Sequence, residues 1–227
     1  MKTIGIIGGM SWESTIEYYR IINELVNQKL SGLHSAKMLI ESYDFEDIEK
    51  LQSSEDWEKL TEILINSAKK LEIAGADYIA IATNTMHLCA NDVQNSISIP
   101  LIHIAQAAAN YIKEKNIDTV ALFGTIYTMT KPFYKDKLKE FGINVIIPNT
   151  QQQNIINKII YDELCKGIIK ETSREIINDI IKDCITKGAK GIVLGCTELP
   201  NIIKNADIEI INTTEVHCRE IVKRILD

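Results

Sequence analysis

The sequence predicts an α/β protein made of two similar lobes, and three observations lead there. Short apolar runs alternate with stretches of helical period along the whole chain, the pattern of parallel sheets covered by helices. The pattern then restarts halfway, where Asp118–Thr125 repeats the length, character and ending of Lys2–Gly9. Two landmark intervals also agree: 75 residues from Gly8 to Thr83 and 72 from Gly124 to Cys196. An internal duplication of this kind predicts two Rossmann-like lobes related by a pseudo-twofold axis, with a ligand site in the cleft between them. The expected boundaries are residues 1–97 with 212–227 for the first lobe and 98–211 for the second.

Each element has its own signal. Thr3–Ile7 is a buried strand ending in Gly8-Gly9, a tight turn. Ser11 caps a helix that starts near Trp12 and keeps helical spacing to about Leu30. A strand is expected over Lys37–Tyr43, and Asp44–Ser54, which contains Gln52, reads as a polar connection. Asp56–Ile73 is an amphipathic helix with Leu60, Ile63, Leu64, Ala68 and Leu71 on one face. The strand Tyr78–Ala82 follows, then a helix to about Val93, a strand Ile99–His103 and a helix Ile104–Lys115. In the second half the expected helices are about Thr130–Phe141, Gln151–Cys165, Thr172–Thr186 and Glu215–Leu226. The strands there are Asp118–Thr125, Asn144–Ile147, the run ending at Leu194, and Ile208–Ile211.

With 45% hydrophobic and 25% charged residues, 227 residues are enough to bury a sizeable core. A net charge of −6 without a basic cluster excludes the usual nucleic-acid footprint, so the expected partner is a small molecule or another protein chain. No apolar run approaches a membrane span, and Met1–Ile6 enters a strand directly without a signal-peptide layout, so a cytoplasmic protein is expected. Five cysteines, Cys89, Cys165, Cys184, Cys196 and Cys218, form no C-x-x-C pair and read as reduced thiols. His34, His103 and His217 have no metal-ligand spacing, so no metal site is expected.

The chemistry concentrates where two apolar strands end in small polar residues. Ile79–Ala82 runs into Thr83-Asn84-Thr85-Met86-His87, and Gly191–Leu194 runs into Gly195-Cys196-Thr197-Glu198. Ligands of parallel sheets bind beyond such carboxyl ends. Cys196, read as leading into a helix N-terminus, is expected to have a thiol pKa below about 8.5 and to be reactive. Thr83 alone is a poor acid and a worse base, and its correspondence with Cys196 is what singles it out. His87, four residues on, would share a helix face with Thr83 and act on its hydroxyl. Gly8-Gly9-Met10-Ser11 lacks the G-x-G-x-x-G dinucleotide pattern, though its backbone N–H groups could hold a carboxylate.

These segments identify a resemblance. Gly8-Gly9-Met10-Ser11-Trp12-Glu13-Ser14-Thr15, Thr83-Asn84-Thr85-Met86-His87 and Gly195-Cys196-Thr197-Glu198 are similar to the aspartate/glutamate racemase family nearly end to end. Members need no cofactor and use two cysteines on opposite faces of the substrate, one removing the α-proton and the other returning one. Thr83 stands where most members have cysteine. In this, and in the run that contains Gln52, the chain resembles the subgroup specific for L-aspartate and L-glutamate.

The resemblance implies Cys196 as the base toward the L-enantiomer and Thr83 as the opposite-face group. Met10, Gln52, Asn84, Thr85, Lys166 and Thr197 would bind an acidic amino acid, with Lys166 on its side-chain carboxylate. Secondary candidates are Ser11, His87, Glu198, and, from the matching strand end of the second lobe, Thr125 and Thr128. No cofactor and a homodimer are implied. Two other readings stay open: a single-cysteine relative acting on substituted malonates or unsaturated diacids, and a protein that only binds an acidic amino acid.

Overall fold

In the computed structural model, which describes all 227 residues, strand β1 (Ile4–Gly8) leads into helix α1 (Trp12–Leu30) and edge strand β2 (Met38–Ser42). Helices α2 (Phe45–Ser53) and α3 (Trp57–Ile73) follow, then β3 (Tyr78–Ile81), a 3-10 turn at Thr85–Cys89 and α4 (Ala90–Ser96). After α5 (Ile104–Glu114) come β4 (Thr119–Gly124), α6 (Ile126–Thr130), α7 (Pro132–Glu140), β5 (Asn144–Ile146) and α8 (Thr150–Asp162). A 3-10 turn at Leu164–Lys166 leads to α9 (Glu171–Thr186), β6 (Gly191–Gly195), α10 (Leu199–Ile202), β7 (Glu209–Asn212) and α11 (Thr213–Leu226). All pairings are parallel, in one sheet ordered β2-β1-β3 and another ordered β5-β4-β6-β7. No helix is long and apolar enough to cross a membrane.

The chain divides into two units, Met1–Ile104 with Thr214–Asp227 and Ala105–Thr213. Its crossing points, 104/105 and 213/214, lie seven and two residues beyond those expected from the sequence. In the first unit the period of two along each strand sorts side chains between two cores. Ile4, Ile6, Ala80 and Ala82 pack with Tyr18, Ile22 and Val26 of α1 and Cys218, Ile221 and Ile225 of α11. Ile7, Ile79 and Ile81 face the other way, onto Leu60, Leu64 and Ala68 of α3 and Val93 of α4. In the second unit Ala121, Phe123, Ile192 and Leu194 pack on Ile156 and Ile160 of α8, Ile177 and Ile181 of α9, and Leu199 of α10. Val120, Leu122 and Val193 alternate with them and are also fully buried. Burial on both faces is why these strands read as continuous apolar runs.

Three elements differ from their sequence expectation. Asp44–Ser54 is mostly helix: the Asp44 carboxylate accepts from Glu46 N at 3.1 Å and caps α2, which buries Ile48 and Gln52 one helical turn apart. Ile99–His103 is no full strand. Only Leu101 bridges to Ile79, because Pro100 has no N–H and the chain turns into α5 at Ile104. The helix expected from about Thr130 is two short ones, since Thr125 caps α6 five residues early and Pro132 starts α7.

Candidate active site

In the first unit the end of β3 is held by side chains of flanking elements. Ala82 N donates to Ile7 O at 2.9 Å, which keeps the strand paired up to the residue before Thr83. Buried Ser14, in the first turn of α1, donates its hydroxyl to Ala82 O at 2.9 Å. His87 Nδ1 lies 2.9 Å from Thr83 O, and Ile104 N donates to His87 Nε2 at 3.2 Å. A carbonyl only accepts and an amide N–H only donates, so the ring is neutral with its proton on Nδ1. Burial, with His103 and His217 close by, lowers its pKa well below the usual histidine range. Both ring nitrogens are engaged by the main chain, so the expected relay from His87 to the Thr83 hydroxyl has no nitrogen to run through. Thr83 is half-buried, while Asn84 and Thr85 are buried in the turn that follows.

The glycine turn beside this strand end is also occupied. Gly9 has φ +81°, and a Cβ there would lie 2.2 Å from Tyr43 O, so no other residue fits. Its N–H donates to Thr15 Oγ1 at 2.8 Å, and that hydroxyl donates to Ser11 O at 3.1 Å. The Gly9 N–H, one of the backbone donors expected to hold a carboxylate, is thus already bonded to α1. Ser11 caps α1 through its hydroxyl, which accepts from Ser14 N at 3.4 Å. Gln52, buried on α2, donates to Met86 Sδ at 3.0 Å, and Met86 shares one core cluster with Met10. Gln52 is thus tied to Met86, in the cluster to which Met10 also belongs.

In the second unit Gly124 and Gly195 are register partners, so Thr125 and Cys196 follow side by side at the carboxyl end of the sheet. The two glycines allow a close approach. A Cβ at Gly195 would lie 2.8 Å from Thr128 Cγ2, and one at Gly124 would lie 2.9 Å from Gly195 O. Thr128 is fully buried as this wedge, and its hydroxyl lies 3.3 Å from that of Thr125. It packs the two strand ends together. Thr125 caps α6. Thr213 Oγ1 donates to Leu194 O at 2.7 Å and holds β6 just before its end.

Half-buried Cys196 donates its thiol proton to Glu198 Oε2 at 2.9 Å, and Thr197 Oγ1 donates to the same oxygen at 2.7 Å. Burial, and next the negative charge of Glu198, push the thiol well above its ordinary range. This overturns the expected lowered pKa. The helix after Cys196 is only four residues long and begins at Leu199, and the nearest charge is a carboxylate. Glu198, a secondary candidate from sequence, accepts from both the Cys196 thiol and the Thr197 hydroxyl, and its charge disfavours the thiolate. Lys166 is exposed at the end of its 3-10 turn, which is packed through Leu164 onto the core cluster that Cys196 also touches. No group of three or more His, Cys, Asp or Glu is gathered as a metal ion would need. Ser14 and Thr213 carry no catalytic signal in sequence; a single hydroxyl in a helical run becomes informative only once its carbonyl partner is known.

A thiol paired with a carboxylate at one strand end, and a hydroxyl on a clamped turn at another, are groups suited to moving protons. The Asp/Glu/Hydantoin racemase family matches residues 7–221. Over the full length of both chains, the fold is similar to a structure from Yersinia pestis described as a candidate Asp/Glu racemase, with 45% identity and a TM-score of 0.95. It is also similar to an aspartate racemase homologue from Pyrococcus horikoshii OT3, again over both full chains, with 39% identity and a TM-score of 0.88. The broad specificity amino-acid racemase RacX of Bacillus subtilis is 27% identical over 213 residues, 91% of this chain and 90% of that protein. The chain belongs to the Asp/Glu/hydantoin racemase family and is an isomerase of the amino-acid racemase kind.

Proposed function

We propose that this enzyme interconverts L- and D-aspartate or glutamate without a cofactor, with Cys196 and Thr83 acting on opposite faces of the α-carbon. The observation that carries the reading is the Cys196–Glu198 pair at the carboxyl end of β6. The thiol proton passes to Glu198, and the thiolate removes the α-proton of the L-enantiomer. Because that C–H is very weakly acidic, oriented donors must stabilise the charge that develops on the α-carboxylate. Asn84, Thr85 and Thr197 are assigned to it, with Ser11 and Thr125 at the neighbouring strand ends. Met10 and Gln52 shape the pocket, and Lys166 meets the side-chain carboxylate. The Thr83 hydroxyl delivers a proton to the other face and is reprotonated by water, since His87 is engaged by the main chain.

A hydroxyl is badly matched to a thiol partner in acid–base catalysis. The enantiomers have equal free energy, so Thr83 cannot make the reaction one-way; it lowers the frequency with which a deprotonated substrate is inverted. This fits the subgroup specific for the L-acidic amino acids. The test is to incubate L- and D-aspartate and glutamate separately in deuterated water, following α-proton loss beside chirality. Exchange from the L-side faster than inversion is expected, abolished in Cys196→Ala. Full activity in that variant would sink the assignment. Binding of either amino acid with neither exchange nor inversion would favour a sensor, and turnover of malonate or maleate derivatives a related enzyme.

Five cysteines with no disulfide among them support placement in the cytoplasm. A homodimer is proposed as well. The solvent-exposed row Trp12, Ile16 and Tyr19 on α1, with Ile40 on edge strand β2, lines a hollow of about 280 Å³ and is the surface assigned to it. Sedimentation of the wild type and of Tyr19→Glu checks this; a wild-type monomer at micromolar concentration rules it out.

A further inference from the structure

His87 is buried, neutral and excluded from proton relay, yet it is bonded directly to the main chain of Thr83. We propose that His87 is a positioning residue that fixes the direction of the Thr83 side chain, an inference that rests on the racemase reading. The argument is geometric. A peptide group is planar, and only two dihedral angles separate one plane from the next. Ser14 clamps the plane before the Thr83 Cα through Ala82 O, and His87 clamps the plane after it through Thr83 O. With both planes held, φ, ψ and the Cβ direction of Thr83 are set.

The clamp has its own support, and every donor in it has one possible direction. His217 Nε2 lies 2.7 Å from Ile102 O and therefore donates to it, leaving Nδ1 to accept from Tyr18 Oη at 2.7 Å. Ile102 and Ile104 flank His103, whose ring lies 4.6 Å from that of His87. Ile104 N–H is one of the donors that the first turn of α5 leaves without an intrahelical partner, and His87 Nε2 takes it up. Tyr18, His217, the 102–104 segment, His87 and Thr83 thus form one path of oriented hydrogen bonds within the first unit.

Two substitutions separate positioning from packing. In His87→Asn the side-chain amide occupies the Nδ1 place and still donates to Thr83 O, losing the bond from Ile104. In His87→Gln the amide oxygen occupies the Nε2 place and accepts from Ile104, losing the bond to Thr83. Each variant loses one buried main-chain bond, so their thermal stabilities should fall together. The readout is the ratio of inversion to α-proton exchange for L-aspartate and L-glutamate, which a loss of folded protein does not move. A misplacement of about 1 Å can cost on the order of 100-fold, so His87→Gln is expected to lower the ratio 10- to 100-fold while His87→Asn stays near wild type. Equal ratios in the two variants would overturn the inference. Ring 15N NMR needs no turnover: a neutral His87 protonated on Nδ1 supports the tie to Thr83, and any other protonation state overturns it. Absence of both exchange and inversion in the wild type would remove the racemase reading, and the ring spectrum would then decide the His87 tie by itself.

Discussion

The Cys196 thiol donates to Glu198 Oε2 at 2.9 Å, and the same oxygen accepts from Thr197. The carboxylate two residues on repels the thiolate and provides a place for its proton. A resting thiol held above its ordinary range is a poor base, so in the proposed reaction the substrate itself must make the site competent. The ammonium group of an amino-acid substrate has the charge to do this.

Replacing Glu198 by Gln separates the two effects. Iodoacetamide alkylation of Cys196 should have its pH midpoint above the normal thiol range in the wild type and at a lower pH in Glu198→Gln, because a negative neighbour is gone. Turnover should nevertheless fall, by about 10²- to 10⁴-fold, because the proton acceptor is gone as well. An unchanged midpoint would show that burial alone holds the thiol up.

Thr83→Cys should raise inversion relative to exchange, since two thiols have matched acidities. Chiral chromatography beside deuterium uptake measures the ratio. No change would mark Thr83 as structural.

Acid should weaken the first unit through His217. Burial lowers its pKa to about 4 from an unfolded value of 6.5, so the unfolded chain binds the proton first as pH falls. The stabilisation is complete above pH 6.5 and is lost progressively between pH 6.5 and 4. At 1.36 kcal/mol per pKa unit this is roughly 3 kcal/mol. Urea titrations from pH 7 to 4 should show at least that slope, and His217→Gln should reduce it, leaving the part due to buried His87, while lowering stability at pH 7.

Gly9→Ala should be severely destabilising, because a Cβ would meet the Tyr43 main chain at 2.2 Å and φ is +81°. A loss above about 3 kcal/mol is expected in denaturant melts, where backbone strain and overpacking add. Gly195→Ala, which meets the Thr128 methyl at 2.8 Å and Phe123 O at 3.0 Å but needs no positive φ, should cost less. A tolerated Gly9→Ala would contradict the turn geometry.

Much of the fold was legible because burial on both faces of a parallel sheet writes itself as apolar runs, and Gly8, Gly124 and Gly195 mark where those runs stop. Helix α2 was misread because its polar surface outweighed the buried pair Ile48 and Gln52. The packing role of Thr128 was not legible, because a hydroxyl at a strand end looks the same whether it faces a ligand or fills the space above two glycines.

By itself the sequence determined the alternation of strands and helices, the repeat, and the two polar strand ends with Thr83 and Cys196 on them. These are properties of periodicity and spacing, which are local. The tertiary structure decided the protonation chemistry. That the Cys196 thiol is raised rather than lowered depends on its burial and on where the Glu198 carboxylate points. That His87 is bound through both nitrogens depends on Ile104, seventeen residues away in the chain. Acidity and tautomer follow from distance and solvation in three dimensions, and spacing along a chain does not encode either.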